Sequence, residues 1–234
     1  MDYNSYQSSL ATLMATQSTN TAFQTILPNC IQYAEFRIYR QLDILNTRYR
    51  DTSTICTPGE RTITLPDTLV VPETIAILTP AGSLPPVASR AILTAVSHDI
   101  IDMLYPSNGT AYQGQPEIFA MIGQASALLG PSPDQAYNVE VFGTYRPLPL
   151  SASNTTTVLT ELLPDLFLAA SMVFMAGYQK NFGAQADDPK MALSWEDQYT
   201  KLMSFAESEE FRKKYGASSW SSRIPNPVAN QQRG

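Results

Sequence analysis

The hydrophobic rhythm of the chain changes twice. Near the start, in "SYQSSLATLM", Tyr6, Leu10, Leu13 and Met14 recur at helical steps and predict one apolar face. After a polar break Asn20 can cap a short turn. Pro28 then takes the first helical position, where its missing N–H costs nothing. From there Ile31, Ala34, Ile38 and Leu42 return at steps of three and four. "PNCIQYAEFRIYRQL" is therefore expected to be an amphipathic helix, with Glu35, Arg37 and Arg40 off the stripe.

Residues 43–159 have another texture. They hold 12 of the 17 prolines and little helical period. Short alternating runs, "RTITL", "ETIAIL", "EIFAMIG" and "NVEVFGTY", are bounded by Pro, Gly, Ser and Asp. In the last of them Val139, Val141 and Tyr145 share one face, and Glu140, Phe142 and Thr144 the other. Short strands at regular spacing predict a small sandwich or open barrel. "SHDIIDMLYP" is the helical exception: Ser97 can cap it, Asp99 suits its first turn and Pro106 stops it.

Helical period returns from 160 to 216. Pro164 opens a helix with Leu163, Phe167, Ala170, Phe174 and Gly177 on one side and Leu166, Met172 and Val173 on others, so it is expected to be buried nearly all round. Gly183 can end it. Asp188 before Pro189 is a start signal for the next helix, whose stripe is Ala192, Trp195, Tyr199, Leu202 and Ala206. Lys213 and Lys214 suit its last turn, and Gly216 terminates it. The paired acids Asp187 and Asp188 thus serve a joint between helices, with Asp188 as N-cap. Glu196 and Asp197, adjacent on a helix, point about 100° apart and do not face each other.

The expected fold is α+β: a helical bundle formed by both terminal regions (1–42 and 160–216), an inserted β-sandwich-like domain (43–159) and an extended C-terminal arm (217–234). The arm, "ASSWSSRIPNPVANQQRG", is polar and aperiodic and cannot bury enough surface to fold alone.

Composition sharpens this. Apolar residues make up 44% of the chain but charged residues only 15%, against roughly 25% in an average soluble domain. So low a charge density suggests that much of the surface is covered by something else, such as sister subunits. The net charge of −6 and the scattered basic residues argue against binding the nucleic-acid backbone. Cys30 and Cys56 are too few for a zinc site and are expected to be free thiols, with a single disulfide between them as the alternative. The start "MDYNSYQSSL" has no signal-peptide pattern, and "LFLAASMVFMAGY" is shorter than a membrane span, so a soluble protein is expected.

Candidate chemistry is thin. Ser97, His98 and Asp99 are consecutive and splay apart at a helix start, whereas a hydrolytic triad needs them to converge. His98 with Asp102 supplies too few ligands for a metal. No phosphate-binding glycine loop, dinucleotide fingerprint or zinc-protease motif is present. Glu35, Asp43 or Asp99 could act as glycosidase carboxylates in principle, but nothing marks them out. "NGT" and "NTT" are expected to be turns. No cofactor and no metal are expected. In the arm, Trp220, Arg223, Ile224, Pro225 and Pro227 are candidate partner-binding residues, because Trp and Arg are favoured interface anchors.

Two segments carry a family resemblance. Pro28, Ile31, Tyr33, Ala34, Glu35, Arg37, Tyr39 and Arg40 form one signature. The run from Tyr178 through Asn181–Phe182–Gly183–Ala184–Gln185–Ala186, Asp188–Pro189, Trp195 and Glu196 to Tyr199 forms the other. With the β-rich middle between them, nearly the whole chain resembles the head-to-tail adaptors of short-tailed bacteriophages, the tail tubular protein A or gatekeeper type. The resemblance implies a non-enzymatic virion protein made in the host bacterial cytoplasm. It also implies a homo-oligomeric ring of twelve subunits between the portal protein and the tail nozzle protein. DNA would pass through the lumen unbound, no membrane would be involved, and the C-terminal extension would reach the portal. A virion-associated cell-wall hydrolase, or an assembly factor absent from the mature particle, are the alternatives.

Overall fold

The computed structural model describes residues 1–176 and 190–215. Its helices are α1 (Tyr3–Leu13), α2 (Thr21–Gln41), α3 (His98–Leu104), α4 (Val158–Leu162), α5 (Pro164–Ala176) and α6 (Lys190–Tyr215). The strands are β1 (Arg48–Ile55), β2 (Thr62–Thr64), β3 (Leu69–Thr79), β4 (Ser89–Ile92), β5 (Thr94–Ala95), β6 (Gln113–Gly114), β7 (Ile118–Gly123), β8 (Ser126–Gly130), β9 (Ser132–Pro133) and β10 (Asn138–Tyr145). Two compact units result. One takes Tyr3–Leu45 and the described residues from Leu162 onward; the other takes Asn46–Glu161.

In the helical unit α5 is the centre. Leu166, Phe167, Ala169, Ala170, Ser171, Met172 and Met175 are all buried, as an apolar helix with several neighbours requires. α2 and α6 both pack along α5, and α1 touches it less extensively. Tyr6 of α1 stacks on Phe167 with centroids 4.5 Å apart. Its hydroxyl donates to the Phe167 carbonyl at 2.9 Å and shares a 2.7 Å hydrogen bond with Ser171 Oγ.

This corrects the expected architecture. The fold is α+β with mostly antiparallel sheets, and not a bundle formed by the two termini. The physical reason lies in α5. Its apolar surface runs round the helix, so neighbours gather on it separately, and α2 meets α6 through long side chains such as Arg37–Glu196.

Two local expectations also change. Pro28 lies inside α2, not at its start. Asn20 caps the long helix, its Oδ1 accepting from Ala22 N at 2.9 Å and Phe23 N at 3.1 Å. An interior proline costs roughly 3 kcal/mol, offset here by fully buried Phe23 and Leu27 upstream of it. On α1 the buried face is Tyr6, Leu10, Ala11 and Met14, with Leu13 39% exposed.

In the other unit β1-β10-β3-β4 form an antiparallel sheet, and β2-β8-β7-β5 a second one in which β5 runs parallel to β7. β6 and β9 pair as a short parallel ladder. Ile75, Ile77, Val139, Val141 and Tyr145 from the first sheet share a core with Ile63, Ala127 and Leu129 from the second. The β10–β3 register shifts at Phe142/Gly143. There the Gly143 backbone lies so close to the Val71 carbonyl that a Cβ would overlap it.

Candidate functional site

Strand alternation puts Glu140 and Phe142 on the face of β10 opposite the core. Glu140 is nonetheless only 2% exposed. Arg50 Nη1 from β1 donates to its carboxylate at 2.5 Å, and Arg90 Nε and Nη2 from β4 donate at 2.7 and 2.9 Å. Hydrogen bonds from Arg90, and then from Arg50, hold this carboxyl below its usual range against the opposing effect of desolvation. Arg48 pairs with Glu73, Nε to Oε1 at 2.7 Å. The guanidinium groups of Arg48 and Arg50 lie 5.6 and 5.0 Å from the Phe142 ring centroid. The cluster ties β1, β10, β3 and β4 together across their outer face.

The helical unit uses the same device. Arg37 of α2 forms a two-pronged pair with Glu196 of α6, Nη1 to Oε2 at 2.7 Å. Its guanidinium lies 3.9 Å from the Tyr199 ring centroid. Tyr199 also hydrogen-bonds Gln41, and burial pushes its phenol up to about 12. Glu210, 3% exposed, accepts from Leu45 N and Lys213 Nζ, both at 2.8 Å. Lys214 Nζ donates to the Asp43 carbonyl at 2.6 Å. Thus the end of α6 is fixed to the chain that follows α2, the basic last turn meeting carboxylates and a carbonyl as its dipole favours.

Between α2 and α5 lies a cleft of about 590 Å³, lined among the described residues by Tyr33, Phe36, Arg37, Arg40, Gln41 and Phe174. Elsewhere large apolar side chains stand in solvent, including Val87, Met103, Ile92, Leu193, Phe205 and Phe211.

The residues singled out in the sequence fall as follows. Glu196 is paired with Arg37, and Asp197 is a separate exposed neighbour. Asp187 and Asp188 lie outside the described residues, as do Gly183, Gly216 and the arm residues Trp220, Arg223, Ile224, Pro225 and Pro227. His98 Nε2 contacts Asp99 Oδ1 at 3.0 Å with both side chains well exposed, and Asp102 pairs with Arg61 at 2.7 Å. Ser97 stands at the N-cap of α3, but its side chain makes no capping bond, which corrects the expected role. Glu35, expected off the apolar stripe, is 2% exposed, within electrostatic reach of Tyr6 and Tyr39. Among the described residues no three His, Cys, Asp or Glu side chains group to hold a metal. Cys30 and Cys56 are free and buried, and burial pushes their thiols up to about 11 and about 12, far from the reactive thiolate form. The buried acids Glu140 and Glu210 carry no sequence signal beyond their apolar neighbours.

The class that emerges is an α+β protein whose ionic groups join its own elements while its outside carries bare apolar side chains. Among the described residues no helix is long and apolar enough to cross a membrane. The family model of the SU10 adaptor protein matches residues 1–224, and the chain belongs to that family. It is accordingly a bacteriophage adaptor, a structural component of the virion that assembles with other head–tail parts. No curated protein matches the chain.

Proposed function

We propose that this adaptor forms a homo-oligomeric ring of twelve subunits between the portal and the tail nozzle, extending the DNA channel without binding the passing DNA. The observation that carries this reading is the outward stripe of α3. Ile100, Met103 and Leu104 recur at i, i+3 and i+4 and are 41%, 74% and 52% exposed, while Ile101 is buried. Apolar side chains grouped on one exposed helix face mark a surface that another protein covers. Family membership supplies the kind of partner, the head–tail components. The net charge of −6 suits a conduit that must not retain a polyanion. The arm at 217–234 is the segment assigned to the portal, with Trp220 and Arg223 as anchors and Ile224, Pro225 and Pro227 beside them.

Electron microscopy of purified particles whose adaptor carries a small terminal tag tests the reading. Label at the head–tail junction, with about twelve copies by quantitative mass spectrometry, is the expected result. A chain missing from finished particles, or located elsewhere on them, overturns it.

A further inference from the structure

We infer that, in the ring just proposed and resting on that reading, α6 of one copy docks into the α2–α5 cleft of the next. The docking ridge is a line on α6. Glu207, Phe211 and Tyr215 are spaced i, i+4 and i+8, which puts them on one flank of the helix. Phe211 and Tyr215 are 64% and 60% exposed, with ring centroids 4.7 Å apart. Glu207 is exposed and pairs with no cation among the described residues. The inward side of α6 is occupied separately, by Tyr199, Met203, Ala206 and Glu210.

The cleft offers the complementary chemistry. Tyr33 is 47% exposed, its ring 5.5 Å from that of Phe174, and Phe36 closes the aromatic wall. Arg40 stands at the rim, its guanidinium 5.9 Å from the Phe36 centroid, and it pairs with no carboxylate among the described residues. Phe211 fills the aromatic cleft and Glu207 meets Arg40. An aromatic anchor in a pocket with a charge pair at the rim is the arrangement that concentrates binding energy and sets register.

The occupant is a second copy because the ridge cannot reach its own cleft. Arg37, in the cleft wall, is tied to Glu196, and Phe211 lies fifteen residues further along the same helix. At 1.5 Å per residue that is roughly 22 Å of rigid rod. Ridge and cleft are different surfaces, so the contact is head-to-tail, the kind that closes into rings.

Charge reversal tests this. Arg40→Glu and Glu207→Arg are each made in the full chain, together with the double variant, and self-association is followed by sedimentation velocity, alone and with the purified portal. Circular dichroism checks the fold, and Arg40→Gln and Glu207→Gln replace any reversal that does not fold. Each single reversal is expected to weaken association about tenfold or more, and the double variant to restore most of the loss. Rings that form with wild-type affinity in both single variants, or a double variant with no rescue, overturn the α6-to-cleft contact and leave the ring itself standing. A wild-type chain that forms no oligomer, alone or on the portal, overturns the contact and the ring together.

Discussion

Replacing Glu140 by Gln isolates what the carboxylate clamp contributes. The side chain keeps its size, so packing changes little and the effect is electrostatic. Glu140 accepts three N–H bonds, one from Arg50 and two from Arg90. The amide retains one oxygen and presents its NH2 to guanidinium donors, so at least one bond is lost and the others keep a charged donor but lose the acceptor's charge. Charged hydrogen bonds contribute about 1.5–3 kcal/mol against about 0.5–1.5 for neutral ones. Arg50 and Arg90 have side chains 54% and 42% exposed and can rehydrate, which favours the lower end. A loss of about 2 kcal/mol is expected, corresponding to roughly 4–8 °C in melting temperature for a chain of this size. Urea unfolding followed by circular dichroism at neutral pH measures it.

The pH dependence has a definite sign. The folded-state carboxyl is held below its usual value of 4.5 by the arginines. Its stabilisation is therefore complete above that value and is lost as pH falls through the lower folded value. The gap between wild type and variant should close in that acid window. A gap below about 0.5 kcal/mol at neutral pH, the ordinary scatter of surface substitutions, or one that stays constant into acid, would refute the clamp as an ionic device.

Four further outcomes are expected. Tyr6→Phe removes the hydroxyl bonded to Phe167 O and Ser171 Oγ and should cost about 1–3 kcal/mol in urea unfolding; an unchanged midpoint counts against the α1–α5 contact. A double-mutant cycle of Arg37→Ala and Glu196→Ala should give a coupling of about 0.5–1 kcal/mol, because Glu196 is partly exposed; zero coupling refutes the pair as a tie between α2 and α6. Gly143→Ala should cost more than about 2 kcal/mol, since the obstacle is the Val71 backbone, whereas Gly82→Ala meets open space and should cost only its left-handed strain, about 1 kcal/mol. Truncation after Gly216 should leave the thermal midpoint unchanged while weakening attachment to the portal; wild-type attachment refutes the arm as a docking segment.

How much of this was legible in the sequence depends on the range of the interaction. Asn20 as a cap, Pro164 as a helix start, the buried α5 and the two faces of β10 all follow from neighbours a few residues apart, and the structure contains them. Pro28 was misplaced because its penalty is local while the burial of Phe23 and Leu27 that overrides it is tertiary. β1 and β8 lay outside the recognised runs: "RYRDTSTI" is polar on both faces, and "SALLG" is too short to display alternation. Glu35 and Glu140 were placed away from the apolar faces of their elements, and Glu210 was not singled out at all. The partners that permit burial of Glu140, Arg50 and Arg90, are 90 and 50 residues away in sequence. The candidate cleft was invisible for the same reason, since Phe174 joins Tyr33 only through the packing of α5 on α2.

The scarcity of charge takes on meaning once its placement is considered. Arg37, Arg48, Arg50, Arg61 and Arg90 each pair with a carboxylate inside the same unit. Arg37, Arg48 and Arg90 each do so through two hydrogen bonds, and an arginine held in such a fork gives its partner a directional, bidentate bond that a mobile surface lysine does not. Spending cations this way fixes strand and helix positions while leaving few charges to solvate the outside. In a free monomer the exposed apolar side chains stand on a surface with few charges overall to keep it soluble. In an assembled particle the same economy is favourable: a surface with few charges loses little hydration when a neighbour covers it. Arg40 and Glu207 are two of several exposed charges, with Glu60, Asp67, Glu117, Asp197 and Lys201, that form no ion pair among the described residues, and they are the two placed at the inferred contact. If low charge serves assembly, the charges left unpaired should sit where neighbours meet, so their reversal should disturb association while leaving the fold of the single chain intact.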